Sequence, residues 1–370
     1  MNERTREVQL AKKAAFEVLY HNYLDRENGL PRTAGWGYPE PYTRDLLISS
    51  LGILASGDER LIQSVRLTLE TLAENQSSHG EIPGLVNNPE DLGSSDTTPL
   101  FLLTLEVYRK FSGENEFLDN FARQAETWMD YQSPFDNGLI TQLPTSDWRD
   151  EHWVFGYGLY VNSLVYLYLK LKNGEKTGEI RNFINHRLSL EEKPYYAVYT
   201  YKIHTGKRFD LLGNSLAIIA GMPTGDRGRK IITWIEENCK SLNREGGLAV
   251  DLPPVLMPFI EPGSDDWRKR YKEYNQPGEY HNGGIWPFTI ALYVVALIRL
   301  GLLDRAEKTL IELSRLVKKS KKPDLDYGFN EWYKAQTGEP EGQDWQTWSA
   351  ALFLYAAFCL EKKKVLFLDK

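Results

Sequence analysis

Twelve apolar segments with helical periodicity, spread over 370 residues, constrain this chain more than any other feature. They lie near 5–24, 43–55, 59–76, 97–112, 115–132, 156–172, 176–187, 208–220, 225–239, 284–300, 303–318 and 344–361. Stop signals such as Ser56-Gly57-Asp58, Ser112-Gly113-Glu114 and Gly301 separate them. Strand-like alternation is sparse. The segment 188–207 (SLEEKPYYAVYTYKIHTGKR) is less regular, and part of it suits a short strand pair. No Gly/Ser- or Pro-rich linker divides the chain, so residues 1–370 read as one all-α domain.

The connections alternate in character. Each even-numbered segment follows a loop or tail rich in polar and aromatic residues, while the links from even to odd segments are mostly shorter. Asp45, Asp96, Asp150, Asp210, Asn282 and Asp344 mark the starts of the even helices, at spacings of 51, 54, 60, 72 and 62 residues. That is a loose helix-hairpin repeat. Six such hairpins can close into an (α/α)6 toroid, even helices inside and odd ones outside. Every even helix then starts at one end of the ring, and the conspicuous loops meet over a single pocket. An open solenoid would need a shorter, stricter period, roughly 34 residues for the tetratricopeptide type.

Composition narrows the function. A net charge of −7 without a basic block argues against nucleic acid as a partner. No apolar run reaches the roughly 20 residues of a membrane span. The start, MNERTREVQLAKKAAF, lacks a secretory pattern, which points to the cytoplasm. The six histidines show no metal-ligand spacing and no Gly-rich nucleotide loop occurs, so neither metal nor cofactor is expected. Cys239 and Cys359 sit in apolar helical contexts and read as inert buried thiols. Ten Trp and 21 Tyr are many. Several stand in polar, Gly/Pro-rich stretches: Trp36, Tyr38 and Tyr42, then Trp148 and Trp153, then Tyr280 and Trp286. Any one of them could be core filler. Clustered beside carboxylates and amides, they suit a sugar ring, with its apolar faces and hydroxyl rim.

Taken in order, the loops carry the chemistry. GWGYPEPYTRD (35–45) brings Arg44 and Asp45 to a helix mouth, where a cap and salt bridge would suffice. In GSSDTTPL (93–100), Asp96 reads as an N-cap. LPTSDWRDEHW (143–153) crowds Asp147, Asp150 and Glu151 around Trp148, more acids than a cap needs. Crowding and burial raise a carboxyl's pKa, which keeps a general acid protonated near neutrality. RFDLLGNSLAI (208–218) carries Asp210 and Asn214 and could be mostly packing. GEYHNGGIWPF (278–288) combines Glu279, Tyr280, His281, Asn282 and Trp286 around two glycines. The last loop (329–348) sets Glu331 between aromatics as a candidate base, then Gln346 and Trp348. Two opposed carboxyls are the apparatus of glycoside hydrolysis.

With these motifs assembled, the chain resembles two groups of (α/α)6 glycosidases: the alkaline/neutral invertases and the amylo-α-1,6-glucosidase domain of glycogen debranching enzymes. The likeness rests on YTRDLLISSLGIL, GEIPG with SSDTTPLFLL, DWRDEHWVFGYGLY, LLGNSLAIIAG, YHNGGIWP, and FNEWY with QTWSAALFL, in that order. It implies inverting hydrolysis, with Asp150 as general acid, Asp147 as runner-up and Glu331 as general base. It also implies that Arg44, Asp45, Asp96, His281, Asn282 and Trp286 hold the first sugar, with Gln346 and Trp348 on the same wall. Trp36, Tyr42 and Trp148 complete the expected aromatic lining.

The departures touch both sides of the site: the invertases' base motif begins Trp-Pro-Glu, against Phe329-Asn330-Glu331 here. Glu151-His152 follows Asp150 where the invertases have two arginines, and Gly156-Tyr157-Gly158 replaces their His-Gly-His run. Sucrose, an α-1,6 branch and another short α-glucoside all stay open. So do an epimerase or phosphorylase on the same barrel, an inactive sugar-binding relative, a helical scaffold for protein partners, and the oligomeric state.

Overall fold

The computed structural model describes residues 3–23, 29–135 and 137–369. Its helices are α1 (Glu3–Tyr23), α2 (Thr43–Ser56), α3 (Glu59–Asn75), α4 (Thr97–Ser112), α5 (Asp119–Tyr131), α6 (Leu159–Lys172), α7 (Thr177–Arg187), α8 (Leu211–Ala220), α9 (Arg227–Arg244), the single turn α10 (Tyr271–Tyr274), α11 (Pro287–Arg299), α12 (Leu303–Leu316) and α13 (Thr347–Lys362). Around the inside run α2, α4, α6, α8, α11 and α13, each packed on the next, and α13 returns to α2 to close the ring. The fold is the (α/α)6 toroid expected from the hairpin repeat.

Composition explains which helix goes where. Every residue of α8 (LLGNSLAIIA) is buried, as is α11 from Pro287 to Ile298. Helices apolar all round belong between neighbours. The outer α9 (RGRKIITWIEENCKSLNR) buries only Gly228, Ile231, Ile232, Ile235 and Cys239, a stripe on an otherwise charged helix. Where the ring closes, a Cβ on Gly52 of α2 would come within 1.8 Å of the Ala351 carbonyl oxygen on α13. Only glycine lets these two backbones approach so closely.

The all-α expectation needs one amendment. An antiparallel sheet is built mostly from the segment between α7 and α8, with the order β1 (Tyr157–Gly158, ahead of α6), β3 (Lys193–Tyr201), β4 (His204–Asp210), β5 (Leu256–Met257, after α9) and a short β2 (Ser189–Leu190) pairing β3. A second, two-stranded piece joins β6 (Trp332–Tyr333) to β7 (Pro340–Glu341). The irregular segment 188–207 is therefore largely the β3–β4 hairpin. Its YYAVYTY run is rich in the aromatic and β-branched residues that strands favour. Asn214 ties it to α8 by bonding both the N–H and the carbonyl of Tyr196.

Candidate active site

The loops ahead of the inner helices converge on a pocket of about 160 Å³, lined by Thr33, Tyr38, Tyr42, Arg44, Asp45, Trp148, Asp150, Tyr280, Trp286, Glu331, Gln346 and Trp348. Drug-sized sites run to roughly 300–1,000 Å³, so this one suits a single ring. Among the described residues, three carboxyls and one cation face it, with aromatics around them.

The cation is fixed first. Arg44, in the first turn of α2, donates from Nε (2.7 Å) and Nη2 (3.0 Å) to the two oxygens of Asp96, a bidentate pair. The Tyr160 hydroxyl donates to the same carboxylate. Asp96 therefore does not cap α4 with its side chain. Fully buried behind Arg44, it orients the guanidinium and is not part of the pocket lining. Next to Arg44, Asp45 accepts from Gln346 Nε2 at 2.9 Å, joining α2 to the start of α13 across the ring closure. Burial lifts the Asp45 carboxyl to about 7.

Glu331 stands deep in the wall, 9% exposed. Burial first, then the charge of Asp45, push its carboxyl up to about 8, against a backbone hydrogen bond from Gln343. Gly342 makes room for it: this residue has φ +66°, and a Cβ there would lie 2.2 Å from Glu331 Oε2. Asp150 stands at the mouth, its side chain 59% exposed. Partial desolvation raises its carboxyl, with Arg44 acting the other way.

Asp147 has a different environment. Arg149, fully buried, donates from Nη2 (2.6 Å) and Nε (3.2 Å) to Asp147 and sets Nη1 3.1 Å from Asp210. Burial alone would raise Asp147, but the charge and hydrogen bonds of Arg149 outweigh it and hold the carboxyl at about 2. A group so acidic and so enclosed is a permanent counter-ion. Asp210 is the N-cap of α8, accepting from Gly213 N. The triad thus pins the acid loop to the next inner helix.

Trp148 meets Trp286 and Phe288 edge-on, and Phe288 stacks on Trp348. Trp148 Nε1, Trp348 Nε1 and Gln346 Oε1 have no partner among the described residues. Of the residues the sequence singled out, Tyr42, Arg44, Asp45, Trp148, Asp150, Trp286, Glu331, Gln346 and Trp348 come together here. Trp36 does not. It packs on His21 and Trp345, with Lys322 over its ring. Asn282 is also diverted: its side chain bonds Ile260 N, Ile260 O and Asn275 O, a structural clamp. His281 is buried behind the wall, and burial keeps it neutral, as it does His152.

Thr33, Tyr38 and Tyr280 line the pocket without having been singled out as site residues. The tyrosines were visible as loop aromatics; Thr33 carried no signal. Two marker residues also stand further from their helices than expected. Asp150 precedes α6 by nine residues and Asn282 precedes α11 by five. Among the described residues, no cluster of three or more His, Cys, Asp or Glu could hold a metal ion, and no helix is long and apolar enough to cross a membrane.

Comparison with known proteins bears on half the ring. The alkaline and neutral invertase family profile matches residues 190–363, which includes Glu331 and α13 but not Asp150 or α2. Alkaline/neutral invertase C, mitochondrial, of Arabidopsis thaliana is 29% identical over 165 residues, 43% of this chain and 23% of that protein. The match thus spans about a quarter of the relative's length. Among solved structures, the GH63 mannosylglycerate hydrolase of Thermus thermophilus in complex with glucose superposes with TM-score 0.65 at 16% identity, over 93% of this chain and 99% of that one. A bacterial glucoamylase complexed with acarbose gives TM-score 0.69 at 15% identity, over 99% of this chain and 57% of that one. These likenesses are to (α/α)6 glycosidases and cover the whole toroid.

Proposed function

We propose that this chain hydrolyses a short α-glucoside with inversion, using Asp150 as general acid and Glu331 as general base. The observation that carries the reading is the disposition of the two carboxyls in a pocket with room for one ring. A glycosyl unit seated there leaves its aglycone at the mouth, beside the exposed Asp150. Glu331, deep in the wall, is the group on hand for a water inside the pocket.

In this reading Asp150 gives its proton to the glycosidic oxygen as the C–O bond breaks. Glu331 takes a proton from water, which attacks the anomeric carbon from the opposite face. Arg44, Asp45 and Gln346 offer charged and amide contacts to sugar hydroxyls, while Trp148, Trp286 and Trp348 shape an apolar wall. The idle Nε1–H groups of Trp148 and Trp348 and Oε1 of Gln346 are further partners for hydroxyls. The invertase likeness of 190–363 favours sucrose and supports the base side of the site. The acid side rests on geometry, so isomaltose-type α-1,6 links remain candidates.

The other readings lack their chemistry. An epimerase needs paired histidines facing the sugar, and the neutral, walled-off His152 and His281 count against it. A phosphorylase needs free cations near the base; among the described residues the one cation in the lining, Arg44, is already paired with Asp96.

The test is a panel of sucrose, isomaltose, panose, maltotriose, trehalose and a mannosyl control, with NMR following the anomer first released. One substrate should be cleaved with inversion, and the activity should vanish in Glu331→Gln and Asp150→Asn. Turnover surviving Glu331→Gln would refute the base assignment. Sugar binding without turnover by the wild type would bring the inactive-relative reading forward.

A further inference from the structure

His281 has an unusual position for a polar side chain. Its ring stacks on Tyr280 (centroids 3.9 Å apart) and on Trp286 (5.3 Å), and Trp148 meets it edge-on at 5.1 Å. It is 1% exposed, yet neither Nδ1 nor Nε2 has a hydrogen-bond partner among the described residues. The backbone around it is held firmly. His281 N donates to Asn275 Oδ1, and the neighbouring Asn282 is clamped to Ile260 and Asn275. Leaving buried polar groups unpaired costs on the order of 1–3 kcal/mol each, and such an exception calls for a reason. Asp150 supplies one. Its Oδ1 lies 4.0 Å from His281 Nε2, beyond hydrogen-bond range, and its exposed side chain is free to turn inward.

We propose that His281 is a positioning residue for the proton donor, giving its Nε2–H to the Asp150 carboxylate once that group has released its proton to the departing oxygen. This rests on the reading of Asp150 as the acid. The atoms balance without a further participant: the proton leaves Asp150 for the aglycone, and the hydrogen bond from His281 forms on the carboxylate left behind. A cation at this position would ionise Asp150 before substrate arrived. An uncharged imidazole does not, yet still stabilises the carboxylate that forms. The groups around the pair are Arg44 from α2, Asp147, Arg149, Glu151 and His152 from the acid loop, Glu331 from across the pocket, and Tyr280 beside the ring. His281 thus serves the leaving-group side of the reaction and leaves the sugar to other residues.

The discriminating variant is His281→Phe. It keeps the stacked ring and removes two nitrogens that have no partner to lose, so a packing role alone predicts wild-type kinetics. Two substrates are compared: the panel glucoside cleaved best, whose aglycone leaves through a sugar oxygen and which serves as the alkyl glucoside, and α-glucosyl fluoride, whose leaving group departs without being protonated. The expected result is a kcat lower by about 10- to 100-fold on the alkyl glucoside. KM, the fluoride rate and the unfolding midpoint stay close to wild type, and His281→Gln recovers part of the loss. Wild-type kcat on both substrates, or equal losses on both, would overturn the role of His281 alone. If Asp150→Asn loses the fluoride rate along with the alkyl rate, the acid assignment falls and this proposal falls with it.

Discussion

Glu331→Gln removes a carboxyl held up to about 8 by burial and the charges of Asp45 and Asp150, against an ordinary glutamate value of 4.5. Between those two values the folded chain keeps a proton that the unfolded chain releases. Stability therefore falls as pH rises through that window. The cost of Glu331 comes to about 1 kcal/mol at pH 5, about 3 at pH 7 and about 5 at pH 9. Glutamine has the same shape and no charge to bury, so the variant recovers these amounts. For 370 residues the unfolding entropy is about 0.8 kcal/mol/K. The variant's Tm should then exceed wild type by about 1 °C at pH 5, 4 °C at pH 7 and 6 °C at pH 9. Differential scanning calorimetry at the three pH values reads the gap directly. A gap that is flat with pH, or that narrows upward, would refute a buried, proton-retaining Glu331. A dead enzyme that is more stable is the signature of a catalytic group placed at the expense of the fold.

Three further outcomes follow from the same site. In the proposed mechanism the active form holds one proton, on Asp150 with Glu331 ionised, so kcat/KM should decline above about pH 8 as that last proton leaves. Asp45→Asn should move that alkaline limb downward, and an unmoved limb would exclude Asp45 as a source of the Glu331 shift. Arg149→Met strips the counter-charge from Asp147 and Asp210 and should cost about 3–5 kcal/mol. Asp147 contributes stability above its ordinary 3.8 that is lost as pH falls towards 2, so the variant should acid-unfold at a higher pH, read by circular dichroism. Gly342→Ala sets a methyl against Glu331 Oε2 and should abolish turnover; retained kcat would mean that Glu331 is not held where it stands.

Much of the ring was readable from periodicity alone. The twelve apolar segments match the long helices α1–α9 and α11–α13 with small offsets at their ends, because inner helices are apolar all round and outer ones one-sided. The loops that meet over the pocket were likewise identifiable, since acids and tryptophans collect where a capping role cannot absorb them. What stayed hidden was which polar atom faces inward. Asp96 and Asp147 look like any carboxylate beside an aromatic, but their partners, Arg44 and Arg149, hold them out of the pocket lining. Asn282 looks like a ligand-binding amide and spends its hydrogen bonds on Ile260 and Asn275. Two of those outcomes depend on distant contacts, Arg44 with Asp96 and Asn282 with Ile260, which local spacing does not encode; the Asp147–Arg149 pair is local, and only its burial shows that it is spent. The β3–β4 hairpin was only half legible because its aromatic run fits a strand and a buried helix almost equally well.

The seam between α2 and α13 has a consequence for how the fold tolerates change. Asp45 and Gln346 are 301 residues apart along the chain yet share a hydrogen bond, over the seam that Gly52 keeps tight. Asp150 and Glu331, the proposed acid and base, stand on different arcs of the same wheel, and every helix contact along the rim sets the distance between them. Thinning one spoke by a methyl, far from any sugar, shifts the arcs together or apart. A misplacement of 1 Å at reacting groups can cost about a hundredfold in rate. The hub therefore registers strain from the whole circumference, and a screen for altered turnover should return substitutions on the outer helices as readily as in the pocket.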